Sequence, residues 1–329
     1  MREETIRPEH MMREYAVLFS QDRAELLKWR EKFVIVSCPA CGCSEYKAIF
    51  IKDKLHFVSC DNCQTVFINP RPDGALLEKY YNNARGLAYW NEQIFPASEP
   101  VRRKSIFRPR ANRVIELCTK YKVNTNIIID VGAGFGTFCE EIQKTNCFDR
   151  VVAVEPNQNL ARTCEQKGIE VIAKPIEKVR MEGIDVITSF ELIEHLFSPK
   201  NFLYSCSKCM DEGGLFICTT PNIKGFDLLT LGKLSDNIGG PNHLNYFHPD
   251  SLKLLLESCG FEVIETLTPG KLDAELVRKK VLSNELDVST QPFLQEVLIN
   301  SWDRVGGAFQ QFLADNLLSS HMWIVARKT

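Results

Sequence analysis

The feature that most constrains the fold is a series of short apolar runs that begins at residue 126 and alternates with helical stretches. The runs are rich in valine and isoleucine, and they are NIIIDVGAG, RVVAVEP, EVIA, IDVITSF and GLFICTT. Strands that are apolar along their whole length are typical of a parallel sheet covered by helices on both faces. FEVIETL and MWIVARK add two strands, the last expected to insert antiparallel. The pattern predicts an α/β fold with a seven-stranded sheet.

Composition excludes several classes of protein. The 329 residues are 44% hydrophobic and 25% charged, as in ordinary globular proteins. Forty basic and 42 acidic side chains give a net charge of −2, which argues against a protein that mainly neutralises nucleic-acid phosphates. No apolar run approaches the roughly 20 residues that span a bilayer, and MREETIRPEH lacks the apolar core of a signal peptide. We therefore expect a cytoplasmic protein without a membrane partner.

Two pairs of cysteines precede the series of strands. Cys38 and Cys41 form the first CxxC pair, Cys60 and Cys63 form the second, and 18 residues separate the pairs. Each pair places two thiolates on one turn, and two such turns complete the tetrahedral sulfur site that zinc prefers. The β-rich segment between them is too short to fold readily without a metal. The pattern predicts a zinc ribbon with a closed, structural site. Cys43 could replace Cys41 as a ligand, but Cys41 has the better spacing.

A glycine-rich turn follows the first strand of the series, in the sequence Gly132-Ala133-Gly134-Phe135-Gly136. Dinucleotide sites prefer GxGxxG, whereas the spacing here is GxGxG. Asp130 ends the strand, and its negative charge suits a ligand with an amino group better than a pyrophosphate. Glu155 ends the next strand, 25 residues later, where a carboxylate can accept hydrogen bonds from both ribose hydroxyls.

Together these residues resemble the S-adenosylmethionine site of class I methyltransferases. Asp185–Leu196, GGLFICTTPN and Asn242–Phe247 are similar to segments of the ubiquinone-biosynthesis O-methyltransferase group. With the cysteine pairs and the NPRP segment added, the chain also resembles bacterial zinc-ribbon methyltransferases that act on sugars and surface polysaccharides. The resemblance implies a Rossmann-like class I methyltransferase sheet, preceded by a zinc ribbon and a helical lid.

Changes in sequence character predict the boundaries of these parts. We expect a helical arm over 1–36, a zinc ribbon over 37–70, a helical linker or lid over 71–125, and a methyltransferase domain over 126–329 with a helical insertion at 271–317 before its last strand.

By the same resemblance the cofactor would be S-adenosylmethionine. The expected contacts come from the glycine loop and the strand ends: Asp130, Gly132, Ala133, Gly134, Gly136, Glu155, Pro156, Ser189 and Phe190. Aromatic and arginine side chains of the lid could stack on sugar or base rings and grip phosphates. These candidates are Tyr81, Trp90, Arg102, Arg103, Arg108 and Arg110. The alternative is that they pack the ribbon against the core, with the arginines solvated.

Three acidic and imidazole side chains, Glu191, Glu194 and His195, follow the fourth strand, at the sheet edge where open α/β folds bind ligands. Their spacing predicts one face of a helix. In the first hypothesis His195 is the general base for an acceptor hydroxyl. In the second, all three and His243 bind a divalent cation that lowers the pKa of the hydroxyl, an arrangement similar to that of metal-dependent small-RNA 2′-O-methyltransferases. In the third, the cluster only orders the loop and helix.

The sequence thus favours methyl transfer from S-adenosylmethionine to a hydroxyl of a saccharide, either a nucleotide-sugar or a surface polysaccharide. The alternatives are a sugar C-methyltransferase, an RNA methyltransferase, and a scaffold that only binds the cofactor. Only about 60 residues follow residue 270, which disfavours the first, since such enzymes carry a longer C-terminal domain. The ribbon contains no arginine between its cysteine pairs, which disfavours a nucleic-acid partner. The oligomeric state stays open.

Overall fold

The computed structural model describes residues 3–329, so Met1 and Arg2 of the expected arm lie outside the described residues. The strands are β1 (Phe33–Val34), β2 (Tyr46–Lys52), β3 (Leu55–Cys60), β4 (Val66–Ile68), β5 (Arg71–Pro72), β6 (Ile127–Val131), β7 (Arg150–Val154), β8 (Glu170–Ile172), β9 (Ile184–Phe190), β10 (Met210–Pro221), β11 (Asn245–Tyr246), β12 (Phe261–Leu267) and β13 (His321–Lys328). The α-helices are α1 (Glu9–Leu27), α2 (Gly74–Asn83), α3 (Arg85–Tyr89), α4 (Phe95–Arg102), α5 (Arg108–Tyr121), α6 (Thr137–Gln143), α7 (Gln158–Gln166), α8 (Pro199–Cys209), α9 (Phe226–Leu231), α10 (Pro249–Glu257), α11 (Asp273–Leu282), α12 (Pro292–Gln295) and α13 (Trp302–Asp315).

A seven-stranded sheet forms the centre of the methyltransferase half, in the order β12-β13-β10-β9-β6-β7-β8. The strands from β10 to β8 are parallel, while β13 runs antiparallel to both of its neighbours. This confirms the α/β class, the seven strands and the antiparallel last strand. The carboxyl ends of β6, β7 and β9 lie at one edge, so Asp130, Glu155 and the turn after Phe190 come together there.

The strands are apolar throughout because both faces of the sheet are buried. Successive side chains of a strand point to opposite faces, and Ile128 and Ile129 accordingly belong to different core clusters. One cluster packs against α5 and α6 through Leu117 and Phe138. The other packs against α8 and α10 through residues such as Leu203.

A four-stranded sheet forms the ribbon, in the order β11-β4-β3-β2. Strands β2, β3 and β4 lie in the expected ribbon, and each pairs antiparallel with the next. Strand β1 lies outside this sheet and pairs antiparallel with β5. The fourth strand of the sheet, β11, comes from the methyltransferase half and follows His243 in the sequence.

The lid is a nearly continuous helical stretch from α3 to α5, in which π-helical turns occupy Trp90–Ile94 and Arg103–Phe107. The first of these helices packs against α1, because the Asp22 carboxylate accepts a 2.7 Å hydrogen bond from the Gly86 amide. The insertion before β13 holds α11 to α13, which share a separate apolar cluster with Leu231 of α9. From residue 3 onward, we find no helix that is both long and apolar enough to span a membrane.

Candidate active site

The glycine loop joins β6 to α6 and adopts a conformation that side chains rarely tolerate. Gly132, Gly134 and Gly136 have φ values of 79°, 55° and 67°. A Cβ at Gly136 would lie 2.5 Å from Ile169 Cδ1, whereas nothing lies within 4 Å of a Cβ at Gly134. Packing therefore requires the glycine at position 136. Gly134 instead borders open space, where a ligand can approach the backbone.

Two buried carboxylates flank this loop, as the sequence predicts. Asp130 accepts a 2.7 Å hydrogen bond from the Thr188 hydroxyl, and burial raises its pKa to about 7. Glu155 accepts hydrogen bonds from the amides of Gly134, at 2.9 Å, and Asn157, at 2.8 Å. Burial also raises the pKa of Glu155. Each Glu155 oxygen has a further lone pair with which to accept from a ligand hydroxyl.

The other expected cofactor residues lie around the same edge. Ala133 is partly buried in the loop, and Pro156 is exposed beside Glu155. The Ser189 hydroxyl, at the end of β9, is buried without a hydrogen-bond partner among the described residues. Phe190 is partly buried and packs edge-on against Phe138 of α6, at 4.9 Å between ring centroids.

Arg110, which the sequence also offers as a substrate-binding arginine of the lid, contacts the edge of the sheet where the cofactor is expected. Its guanidinium lies 4.7 Å from the centroid of the Phe190 ring, and one nitrogen is 3.2 Å from Glu191 Oε1 and 3.3 Å from Thr219 Oγ1. The sequence offers it as a contact for the substrate and does not predict that it lies beside Phe190 and Glu191. A site with two carboxylates, Asp130 and Glu155, needs a cation if its ligand carries an acidic group.

The expected single helix over Glu191, Glu194 and His195 is wrong. Only Ile193–His195 form a short 3₁₀ turn, and Glu191 has a left-handed backbone with φ of 53°. Glu191 therefore turns away from the other two and accepts a 2.6 Å hydrogen bond from the Thr219 hydroxyl. It also lies 3.5 Å from His321 Nδ1. Enclosure by protein favours the neutral form of Glu191, but His321, Arg110 and Thr219 outweigh it and lower the pKa to about 2.

Glu194, His195 and His243 do come together. One ligand atom from each lies within 4.8 Å of the other two. The Asn242 carbonyl can only accept, so His195 Nδ1–H donates to it at 2.8 Å and Nε2 keeps its lone pair. Glu194 Oε1 and His243 Nδ1 are buried without a hydrogen-bond partner among residues 3–329. Possible metal-ligand atoms of these three side chains thus converge.

Burial sets the protonation states of Glu194, His195 and His243. Burial lowers the pKa of His195, and burial together with the neighbouring His195 lowers that of His243 to about 3. Both rings are therefore neutral near pH 7. Burial, reinforced by the nearby Glu191, raises the pKa of Glu194. Without a cation, burial therefore favours a protonated Glu194; once ionised, it would form with the two neutral imidazoles a donor set that suits a divalent transition metal.

The four cysteines of the ribbon also come together. Their sulfur atoms lie within 4.8 Å of one another, with 3.5 Å between Cys38 and Cys63 and between Cys41 and Cys60. A tetrahedron with zinc–sulfur bonds of 2.3 Å has edges of about 3.8 Å, so the sulfur spacing fits the metal. Cys43 is not in the cluster and directs its thiol towards the Glu45 carbonyl.

The lid candidates divide into two groups. The Tyr81 hydroxyl donates to the Asn242 carbonyl at 3.2 Å, beside His195, and the Arg102 guanidinium lies 5.2 Å from the centroid of the Trp90 ring. Arg103 and Arg108 face the helix α6 instead, and both form 2.9 Å salt bridges with the buried Glu141. These two arginines hold the lid on the glycine-loop helix.

An aromatic stack reinforces the same contact. Phe95 of the lid lies face to face with Phe135 of the glycine loop, with 3.9 Å between ring centroids. In addition, the Thr137 hydroxyl at the start of α6 donates to Glu99 of the lid at 2.9 Å. The lid thus packs directly on the loop that is expected to bind the cofactor.

Comparison with known proteins agrees with this geometry. The sequence model of a family described as Methyltransferase domain matches residues 103–266. The plantazolicin methyltransferase BpumL, solved in complex with SAH, has the same fold, with a TM-score of 0.50 and 13% identity over 77% of this chain and 94% of that one. Residues 103–266 therefore form a methyltransferase domain, and its fold is that of an S-adenosylmethionine-dependent methyltransferase.

Its relatives include ubiquinone biosynthesis O-methyltransferases. The protein of Maricaulis maris is 31% identical over 114 residues, which are 32% of this chain and 45% of that protein. That of Caulobacter sp. strain K31 is 29% identical over 143 residues, 39% of this chain and 56% of that protein. The chain thus spans about half the length of these curated relatives.

Proposed function

We propose that this protein transfers the methyl group of S-adenosylmethionine to a hydroxyl oxygen of a saccharide. Glu194, His195 and His243 would hold a divalent cation, which would supply activation of the hydroxyl. The observation that carries the proposal is the convergence of these three side chains, of which Glu194 Oε1 and His243 Nδ1 are buried without a hydrogen-bond partner in the described part of the chain. Unpartnered buried acceptors are costly, and a cation removes that cost.

In this proposal the cofactor binds along the carboxyl edge of the sheet. Asp130 would bind its amino group, Glu155 its ribose hydroxyls, and the buried Ser189 hydroxyl and the Phe190 backbone its remaining polar atoms. Arg110 supplies the positive charge that the methionine carboxylate needs, since the other charged groups at the glycine loop are acidic. Gly132, Ala133, Gly134, Gly136 and Pro156 shape the backbone around it. The bound cofactor supplies an electrophilic methyl group on a sulfonium.

The protein's own residues then align and deprotonate the acceptor. Methyl transfer is an in-line displacement, so its rate depends on the alignment of the acceptor oxygen with the methyl carbon. A cation held by Glu194, His195 and His243 would lower the pKa of a bound hydroxyl. Glu191, with 41% of its side chain accessible, is kept ionised by Arg110 and His321 and would orient a hydroxyl of the acceptor, while the released proton would pass to solvent.

Two observations favour a hydroxyl of a saccharide as the acceptor. The relatives named above are O-methyltransferases, and activation by a cation serves an oxygen nucleophile. Tyr81, whose hydroxyl bonds to the Asn242 carbonyl beside His195, would offer the acceptor an aromatic surface that suits a sugar, and the stacked Trp90 and Arg102 of the lid would extend it. The four-cysteine cluster would hold a structural zinc ion, because all its ligands are sulfur and none leaves an open position.

The test is incubation with deuterated-methyl S-adenosylmethionine and a cell extract fractionated into nucleotide-sugars, polysaccharide and RNA. Mass spectrometry then locates the label, with Mg²⁺ or Mn²⁺ added or withheld after chelation. We expect label on a saccharide oxygen, with turnover restored by the added cation. Label on a sugar carbon or on RNA would replace the acceptor that we propose.

The role of the cation is tested separately with His243→Ala. If a cation activates the acceptor, this variant loses turnover at least about a hundredfold while its cofactor affinity stays near that of the wild type. If His195 acts alone as a general base, His243→Ala keeps most of the activity and His195→Ala loses it. His10→Ala, at an exposed position of α1, is the matched control.

A further inference from the structure

The ribbon and the active site share a β-sheet. Strand β11 pairs antiparallel with β4, which places Asn245 opposite Phe67 and Tyr246 opposite Val66. The pairing extends by one more bond, in which the Ile68 amide donates to the Leu244 carbonyl at 3.0 Å. The segment that follows His243 is therefore an edge strand of the ribbon.

The same segment holds the turn that carries Glu194 and His195. The Leu244 amide donates to the Glu194 carbonyl at 2.8 Å. The Asn245 side-chain amide donates to the carbonyl of Leu196 at 2.8 Å and to that of Ile193 at 3.3 Å. Asn245 is fully buried, so these bonds do not compete with water. The position of the turn thus depends on the position of Asn245.

Arg71 of the NPRP segment fixes Asn245 from the ribbon side. Its guanidinium is buried, with 3% of the residue accessible, and donates to Asn245 Oδ1 at 2.8 Å. A second nitrogen donates to the Phe197 carbonyl at 2.7 Å, and the Phe197 ring lies 5.1 Å from the guanidinium carbon. Among the described residues Arg71 forms no salt bridge, although burial lowers its pKa to about 10. Burying a guanidinium without an acidic partner is costly. The two directed hydrogen bonds offset part of that cost, and their geometry indicates that Arg71 holds Asn245 and the Phe197 carbonyl in place.

The turn that carries Cys60 and Cys63 forms a second hydrogen bond with this segment, on the other side of β11. His248 is 3% exposed, and its Nε2–H donates to the Cys63 carbonyl at 2.8 Å. Its backbone amide donates to the Ser251 hydroxyl oxygen at 3.0 Å, so the residue also fixes the start of α10. The segment between His243 and His248 is therefore attached to the ribbon at both ends.

We propose that the ribbon forms the inner wall of the acceptor site and that Arg71 is a positioning residue for Glu194, His195 and His243. The ribbon is then a part of the catalytic framework, and not an independent module that binds the acceptor. The proposal rests on the function proposed above, since it concerns the same three side chains. Arg71 acts through Asn245 and the 193–197 turn, and it does not touch the reacting groups.

The test compares the full-length wild type with Arg71→Met, the conservative Arg71→Lys, and Arg23→Met as the matched control. Arg23 also binds the ribbon, through a 2.9 Å salt bridge with Asp53, but it does not contact the 193–197 turn. Three properties are measured: the affinity for S-adenosylmethionine by calorimetry, the affinity for Mn²⁺ by electron paramagnetic resonance, and the tautomers of ¹⁵N-labelled histidines by NMR.

We expect Arg71→Met to lower the Mn²⁺ affinity by about tenfold or more and to remove the Nδ1–H tautomer of His195. The affinity for S-adenosylmethionine should stay within about threefold, because the glycine loop lies elsewhere on the sheet. Arg71→Lys should fall between, and Arg23→Met should match the wild type. Wild-type Mn²⁺ affinity and histidine spectra in both Arg71 variants would overturn the proposal.

Failure of the proposed function gives a different result. If the wild type binds no Mn²⁺, the proposal of a cation at Glu194, His195 and His243 is wrong. The histidine tautomers then still decide whether Arg71 positions the rings of His195 and His243. If Arg71→Met does not fold, as judged by loss of cofactor binding, the comparison of Arg71→Lys with the wild type decides.

Discussion

The buried carboxyl of Asp130 predicts a specific dependence of stability on pH. Burial raises its pKa from 3.8 to about 7, so between these values the native state binds more protons at this site than the unfolded state does. The free energy of unfolding contributed by this group therefore falls as pH rises through this window. Asp130→Asn removes the titration and keeps the shape of the side chain, so it serves as the reference.

The size of the effect follows from the two pKa values. A shift of about three pH units corresponds to about 4 kcal/mol at full ionisation, of which about 2–3 kcal/mol develops between pH 5 and pH 8. We expect the cofactor-free Asp130→Asn protein to gain that much stability over the wild type across this interval.

The assay is urea unfolding of both proteins at pH 5, 6, 7 and 8. The difference between the two proteins cancels the titration of the other groups. A difference in the free energy of unfolding that is constant with pH would refute the reasoning. A wild type whose stability rises relative to that of the variant as pH rises would refute it as well. Addition of S-adenosylmethionine at pH 8 supplies an ammonium partner, so it should stabilise the wild type more than the variant.

Three further predictions concern the loop, the lid and the ribbon. Gly136→Ala should lower the free energy of unfolding in urea by about 2–5 kcal/mol, because of the positive φ and the contact of the new Cβ with Ile169. Gly134→Ala should lower it by only about 1–2 kcal/mol and mainly weaken cofactor binding. Equal losses of stability in the two variants would contradict the contacts described. Arg103→Met removes one partner of the buried Glu141 and should lower the free energy of unfolding by about 1–3 kcal/mol. It should also speed cofactor release, measured by stopped flow. An unchanged release rate would show that the lid does not retain the cofactor. Cys60→Ser should lower bound zinc, measured by elemental analysis, from one ion per chain to a small fraction, whereas Cys43→Ser, outside the cluster, should keep the full content.

The sequence predicts the main sheet well because its strands are buried on both faces, which leaves an unbroken apolar signature in each. It also predicts the cysteine cluster, since metal spacing is a local property. It failed where a long-range contact overrides local spacing. The helix expected at Glu191 does not form, because Thr219, Arg110 and His321 bind the Glu191 carboxylate elsewhere.

Two other features of the site could not be found from the sequence. Strand β11 has only two residues, Asn245 and Tyr246, and no periodicity can be detected over so short a length. The role of Arg71 depends on a partner 174 positions away. Similarly, nothing local shows that Arg103 and Arg108 bind Glu141 while Arg102 faces Trp90.

The sheet shared by β11 and β4 has a consequence for how such a protein can change in evolution. A ribbon exchanged between two related chains would lose its fourth strand unless the segment from residue 240 to 248 were exchanged with it. Deletion of the ribbon would leave β11 as an unpaired edge and expose the apolar side chains that now cover it. Recombination at the boundary suggested by the sequence, near residue 70, should therefore yield misfolded hybrids. The two parts of the chain can diverge only by compensating substitutions on both sides of that pairing.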